Sequence, residues 1–442
     1  GGRIEHAGGG GLALDTGDWA GSGGRLSTLG RLQWSAGNAD LRSGSLSAVG
    51  FDILAATLDN RGGSLLSLGS GASSVKATTL DNRARGTLAG NGDLALVATT
   101  LDNSNGLVQQ AGTGTLSVQA DTLRGSEGRL LSNGALVLSG GELDVSGGTT
   151  SAQSVQIHAG ALRNRQGQIV SQGVSALALD VRDAFDNQGG QIVGNGGLRI
   201  DAGRIDNQKG TLQSAGTQGV ALTVRDSLDN TGGAISGNGQ VQLQVGSLLN
   251  QGGKVLAAGS GALQVQAREL LDNSNGGRLA GTGDLRLQAV RLDNRSGAIE
   301  HAGGGILQIH ADGLQGAGGR ILSQSSLMLE GGQLQLGAGS ITQAERIAID
   351  AQHLDNAGGN LSATGSDMLR LHVAQRVDNS GGTIAGNGAL DVQAGELINR
   401  KGTLSGAGTA DGTLQITGAL DNHEGTIASN ANRLTVTSAR LD

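Results

Sequence analysis

The chain has 442 residues, 82 of them Gly, with no Pro, Cys or Tyr and only four aromatic residues, Trp 2 and Phe 2. Such a composition excludes an ordinary globular domain, and the absence of proline and of a strict Gly-X-Y period excludes collagen. With 37% hydrophobic residues and a net charge of only −7, the chain is not of the disordered class, and Lys+Arg 31 against Asp+Glu 38 leaves no basic face for a nucleic acid.

Length alone would give about two or three globular domains, a prior that fails for solenoids, whose core grows along one axis. No apolar run approaches the roughly 18 residues of a membrane-spanning helix. The absence of cysteine leaves no disulfide or thiolate metal site and fits an exported chain. The sequence starts at Gly1 inside what reads as a repeat and ends at Leu441-Asp442, without an initiating Met or a signal peptide. It therefore reads as a fragment of a longer protein, a single continuous repeat region over 1–442.

In chain order, residues 1–57 are weak copies of the repeat that holds Trp19, Trp34 and the segment Ile4-Glu5-His6-Ala7-Gly8. A clear motif then begins. Leu-Asp-Asn or a close variant recurs with its asparagine at Asn60, Asn82, Asn103, Asn164, Asn187, Asn207, Asn230, Asn250, Asn273, Asn294, Asn356, Asn379, Asn399 and Asn422. Neighbouring copies lie 20–23 residues apart, and the gaps of 61 and 62 residues hold degenerate copies. In thirteen of the fourteen a Gly stands three places later, as at Gly63, Gly190 and Gly402; after Asn82 it comes one place late, at Gly86.

Between these turns every second residue is apolar, as in Ile384, Leu390, Val392 and Ala394, or Leu279, Leu285, Leu287 and Ala289. Period two means strand with one face inward. The spacing predicts strands of three to six residues, folded into three short faces per turn of about 21 residues, and stacked turns would bury their Leu, Ile and Val rows in one core. The fold class read from this is all-β: a parallel β-helix of roughly 20 coils, about 4.8 Å apart, giving a rod of order 100 Å.

The repeated Asn is expected in the same turn of every coil, where it tolerates left-handed backbone and can form an amide ladder, with the following Gly supplying positive φ. The fourteen asparagines are thus read as a structural turn ladder, and no catalytic, cofactor or metal residue is expected. A longer period lies above the coil. Leu101 to Leu292 spans 191 residues, and Ile299-Glu300-His301-Ala302-Gly303 repeats the N-terminal segment. The supra-repeats run over approximately 1–100 (shortened), 101–291 and 292–442 (incomplete). Extra residues near Gln172–Ser175 and Thr217–Gly219 predict small protrusions on one edge.

Other candidate sites weigh towards bland readings. Trp19 and Trp34 could stack sugars, but Leu123 and Leu138, then Leu314 and Leu329, hold the matching places, which points to core; Phe185 reads the same way. His6, His158, His301, His310, His353, His372 and His423 lack metal-ligand spacing and read as solvent-facing. Asp93 and Asp284 faintly resemble calcium-binding repeats, yet Gly197, Gln240 and Ala389 replace them elsewhere. Once-per-coil recurrence of Asp59, Asp81, Asp102, Asp186, Asp206, Asp229, Asp272 and Asp293 reads as scaffold rather than a carboxylate centre, against a polysaccharide-cleaving enzyme.

The repeat Leu-Asp-Asn-x-x-Gly-x-(Ile/Leu)-x-(Gly/Ser)-x-Gly-x-Leu-x-(Leu/Val)-x-Ala, clearest from Leu80 to Ala98 and from Val377 to Ala394, resembles the haemagglutinin repeats of filamentous haemagglutinin and of contact-dependent growth inhibition exoproteins. The resemblance covers nearly the whole chain, more weakly at 1–57, 121–161 and 312–353. It implies a right-handed β-helix and a bacterial two-partner secretion cargo. The partners implied are an outer-membrane β-barrel transporter during export and a target-cell receptor met through other regions of the protein, at a secreted or cell-surface location. The chain would be part of the shaft of an adhesin or toxin-delivery protein. The alternatives are a shaft that is itself adhesive to glycans or host proteins, and the enzyme. Open coils at both ends would expose unpaired backbone and favour self-association of the excised segment.

Overall fold

Alternating side chains place one row of each strand inward, and a parallel neighbour must carry a matching row or leave a void. A computed structural model describes all residues, 1–442, and contains strands and turns but no helix. Its Cα positions divide into two units, Gly1–Gln218 and Gly219–Asp442. Each unit is a β-solenoid in which one coil is one four-residue strand and one long strand, with 11 short strands in the first unit and 10 in the second.

All recorded pairings are parallel and join equivalent strands of successive coils. In the first unit, Leu94–Asp102 pairs with Ser73–Asp81 on one side and Thr115–Arg124 on the other, so Leu96 lies between Val75 and Val118. In the second, Leu285–Asp293 pairs with Leu263–Asp272 and Ile306–Gln315, so Leu287 lies between Val265 and Ile309. Leu88, Leu94, Leu101 and Val108 are each fully buried.

The long strands correct the expected length of three to six residues, since most run for nine or ten. The three faces survive because the long strand turns a corner. In Leu94–Asp102, Leu94, Leu96 and Ala98 point inward, Thr99 and Thr100 both point outward, and Leu101 points inward again. Pairing passes from Ala98–Ala120 to Thr100–Thr122 and omits Thr99. Two outward residues in a row shift the inward phase by one, which bends the strand without ending its hydrogen-bond ladder.

The glycines of the repeat also act differently from expectation. Positive φ falls one place earlier, two residues after the Asn, at Gly62 (φ 62), Lys209 (φ 56), Gly252 (φ 62) and Lys401 (φ 56). Gly63, Gly190 and Gly402 have no positive φ; they are glycine because nothing larger fits. A Cβ on Gly402 would lie 2.1 Å from the Asn379 carbonyl oxygen and 2.6 Å from Asn399 Oδ1. The turn after Asn273 is one residue longer, with both Asn275 (φ 54) and Gly276 (φ 83) left-handed. There Gly277, not Gly276, takes the crowded place, 2.7 Å from Asn273 Oδ1 to its would-be Cβ.

The expected protrusions lie on a common edge of the first unit: Val174 is 83% exposed, and Gln218 Nε2 donates to the Val174 carbonyl at 3.0 Å.

Gly402→Ala is expected to lower the urea midpoint by the equivalent of about 1–3 kcal/mol, because the nearest blocking atom is the backbone carbonyl oxygen of Asn379 and the next belong to the hydrogen-bonded amides of Asn399 and Asn379. Gly252→Asn should cost no more than about 1 kcal/mol, since its Cβ direction is open and Asn tolerates this backbone region. Equal losses for the two would refute the steric assignment.

Candidate functional site

The asparagines lead inward from the turn that follows each long strand. Thirteen of the fourteen side chains are completely buried, and only Asn422 is partly exposed. None of the fourteen has positive φ, so the amide is selected for its side-chain bonds and not for a left-handed backbone. In the first unit Asn60 Nδ2 donates to Asn82 Oδ1 at 2.7 Å and Asn82 Nδ2 to Asn103 Oδ1 at 2.7 Å. Asn164 Nδ2 donates to Asn187 Oδ1 at 2.8 Å and Asn187 Nδ2 to Asn207 Oδ1 at 2.7 Å. In the second unit Asn230, Asn250, Asn273 and Asn294 are linked head to tail at 2.7–2.8 Å, as are Asn356, Asn379, Asn399 and Asn422 at 2.7 Å.

Each amide also bonds backbone: Asn60 Nδ2 donates to the Thr87 carbonyl at 3.1 Å, tying the side chain to the start of the next coil. The files stop where Gly125 and Val145, or Gly316 and Leu336, stand in the asparagine's place. Where a file opens, its first acceptor is orphaned: Oδ1 of Asn60, Asn164 and Asn356 is buried without a partner. A leucine there, as at Leu336, supplies apolar packing instead of an amide to its neighbour.

The once-per-coil aspartates cap the turns. Asp59 Oδ1 accepts the Arg61 N–H at 3.2 Å, and Asp81 and Asp293 accept those of Arg83 and Arg295 at 3.1 and 3.0 Å. Between residues 40 and 102 three arginines interleave with four carboxylates. Arg42 lies 2.6 Å from Asp40 and 3.7 Å from Asp59, Arg61 is 2.6 Å from Asp59 and 3.5 Å from Asp81, and Arg83 is 2.7 Å from Asp81 and 3.6 Å from Asp102. Burial opposes ionisation of Asp81, but the side-chain and backbone bonds from Arg83 more than offset it and hold the carboxyl below its ordinary value. The two calcium-like aspartates instead bond the next coil, Asp93 Oδ1 accepting the Thr115 N–H at 2.7 Å and Asp284 Oδ1 that of Ile306 at 3.1 Å.

Trp34 and Phe185 are buried, while Trp19 is half-buried in the inward row that continues as Ala39 and Leu58. The Trp19 and Trp34 rings meet edge to face with centroids 5.4 Å apart, and Trp34 Nε1 donates to Thr16 Oγ1 at 3.2 Å.

One histidine overturns the solvent-facing reading. His301 is only 2% exposed, because it is the last inward residue of the short strand Ala298–His301. Its Nδ1 lies 2.9 Å from Ser323 Oγ in the next coil. The same place in the first unit holds the buried Gln110, whose Oε1 accepts from Ser132 Oγ at 3.0 Å and whose Nε2 donates to the Gly92 carbonyl at 3.3 Å. His6, part-buried, makes the matching contact to Thr28 Oγ1 at 2.9 Å. These polar pairs between coils escape sequence reading because a lone Gln or His in an apolar row reads as a lapse of the pattern; the only signal is the repeated Ile-Glu-His-Ala-Gly segment. His158, His310 and His423 are exposed, His353 and His372 half-buried. No group of three or more His, Cys, Asp or Glu is placed to hold a metal ion.

Two outcomes follow. Asn187→Leu strands both the Asn164 donor and the Asn207 acceptor and is expected to cost about 2–4 kcal/mol, whereas Asn60→Leu, whose own Oδ1 is already orphaned, strands only the Asn82 acceptor and should cost about half as much by equilibrium denaturation. For His301, burial depresses the imidazole pKa. The unfolded state then binds the proton more readily, so stability present above about pH 6.5 is lost as pH falls towards the lower folded value. His301→Gln should flatten that part of the stability–pH curve, and an unchanged slope would show that His301 is not its source.

A family model described as the haemagglutinin repeat matches residues 7–70, 68–140, 111–189, 174–232, 220–260, 258–334, 307–381 and 367–440. No curated protein and no solved structure matches the chain.

Proposed function

Because the chain belongs to the haemagglutinin-repeat family, whose matches run across nearly all of it, we propose that this adhesin-like shaft is part of a two-partner secretion exoprotein. In this reading an outer-membrane transporter passes the chain to the cell surface, where it holds a binding or toxic region towards another cell. The observation that carries the reading is the use of the recurring polar side chains. The asparagines bond the next coil, and the aspartates cap their own turns or pair with arginines. Groups committed in this way serve a scaffold, and the asparagine files are its interrupted polar seam.

The composition suits export. With no cysteine, no disulfide can form before translocation, and with no proline there is no slow isomerisation and no lost ladder donor. Most bonds join a coil to the next one, so a chain emerging from a pore can fold coil by coil onto what has already formed. The 191-residue spacing of Leu101 and Leu292 is read as a supra-repeat that lengthens the shaft by duplication.

The test is display. With a secretion domain before it and an epitope after it, the chain should present the epitope to antibody on intact cells, and the purified segment should give elongated particles by electron microscopy. Removal of Asn379–Ile398, one whole coil ending where Asn399 resumes, should preserve display, and removal of half that segment should abolish it. A well-folded chain retained inside the cell, or compact particles, would overturn the proposal.

A further inference from the structure

In the second unit the long strands carry an outward file, one residue per coil, that opens at Thr223 and runs through Gln244, Gln266, Gln288, His310 and Glu330. It continues as Asp350, His372, Gln393 and Gln415 and ends at Thr437. Between the threonines at its two ends every member is a planar amide, imidazole or carboxylate. The fold does not require this, because the corresponding file in the first unit includes Leu54, Lys76, Val97 and Ser139.

Two hollows lie on the file. One, of about 410 Å³, is lined by Gln264, Gln266, Arg286, Gln288, Gln308 and His310 among others. The other, of about 280 Å³, has His372, Gln393 and Gln415 on one side and Ala374, Gly395 and Thr417 on the other. Most of their charges are already paired. Arg286 is 2.8 Å from Asp284, His310 is 3.3 Å from Glu330, and Asp391 is 3.3 Å from His372 and 3.5 Å from Arg370. The glutamines behave oppositely. Gln266, Gln288, Gln393 and Gln415 are exposed and form no side-chain hydrogen bond within the protein, whereas Gln168 and Gln191 of the first unit bond each other at 3.1 Å.

We propose that this face is a binding groove for a neutral, linear polysaccharide. An unpaired amide both donates and accepts, as a sugar hydroxyl does, so the file offers complementary partners to a hydroxyl-rich chain laid across successive coils. Paired charges and the carboxylates of Glu330 and Asp350 disfavour a polyanion. A protein partner would draw its affinity from buried aromatic or aliphatic anchors, and the large aliphatic residues beneath these hollows, Val265, Leu287 and Val373, are already buried in the core. Without aromatic stacking each subsite is weak, and recurrence along the file supplies avidity. This role is additional to the shaft and does not depend on it.

The experiment is retention of the full chain on a panel of immobilised neutral bacterial, fungal and plant polysaccharides, with heparin and polyglutamate as anionic comparisons. At least one neutral polymer should retain the chain. Gln266→Ala with Gln288→Ala should weaken that retention at least fivefold, Gln393→Ala with Gln415→Ala should weaken it further, and Gln119→Ala on the first unit's file should not change it. Circular dichroism melts of the variants should coincide with the parent, separating lost contacts from lost fold. Retention by no neutral polymer, retention by heparin alone, or equal retention of parent and glutamine variants would overturn the proposal.

Discussion

The structure depends on stacking equivalent residues at the inter-strand distance of about 4.8 Å. A parallel ladder fixes which residue lies above which, so every inward position becomes a column that must be filled in coil after coil. Apolar columns do this by packing, as Val75, Leu96, Val118 and Leu138 do. Polar columns do it only if each group can donate to one neighbour and accept from the other. The asparagine amide does both without charge and reaches the next coil. An aspartate file there would repel itself, and a serine file would not reach.

The same constraint explains the imperfections. A column of amides has two ends, and an end leaves a donor or an acceptor without its partner. At Asn60, Asn164 and Asn356 the unmatched group is the Oδ1 acceptor. The last amides before the interruptions find carbonyls instead, Asn103 Nδ2 donating to Arg129 O at 3.3 Å and Asn294 Nδ2 to Arg320 O at 3.2 Å. A carbonyl acceptor is supplied by any backbone, whereas an orphaned Oδ1 needs a donor that Val145 and Leu336 do not have. The buried Gln110 and His301 mark a second polar column of the same logic, in which the hydroxyl of the following coil is the partner.

Stacking also separates the inside from the outside of the coil. Inward columns are restricted to a few residue types by their neighbours above and below, while outward files are free to vary. The arginine–aspartate zipper near residues 40–102 and the glutamine-rich file of the second unit therefore sit on the same scaffold without disturbing it. Solvent-exposed ion pairs such as Arg42–Asp40 add little to stability, roughly 0–1 kcal/mol each, and the core does not rely on them.

The fold class was legible because Leu, Ile and Val alternate with polar residues around a motif that returns every 20–23 residues, and local periodicity of that kind has one strand solution. The asparagine column was legible for the same reason: spacing alone aligns Asn164 with Asn187 and Asn379 with Asn399. Sequence could not decide what each turn residue was for. Gly402 and Lys401 look interchangeable as turn formers, and only the approach of the Asn379 carbonyl shows that the first is held by space and the second by backbone angle. Nor could it show that Thr99 and Thr100 make a corner inside one long strand, that Gly277 rather than Gly276 is the crowded glycine, or that His301 faces inward. Those are decided by what the adjacent coil places within a few ångströms, and a sequence orders residues along the chain without stating which atoms the next turn brings against them.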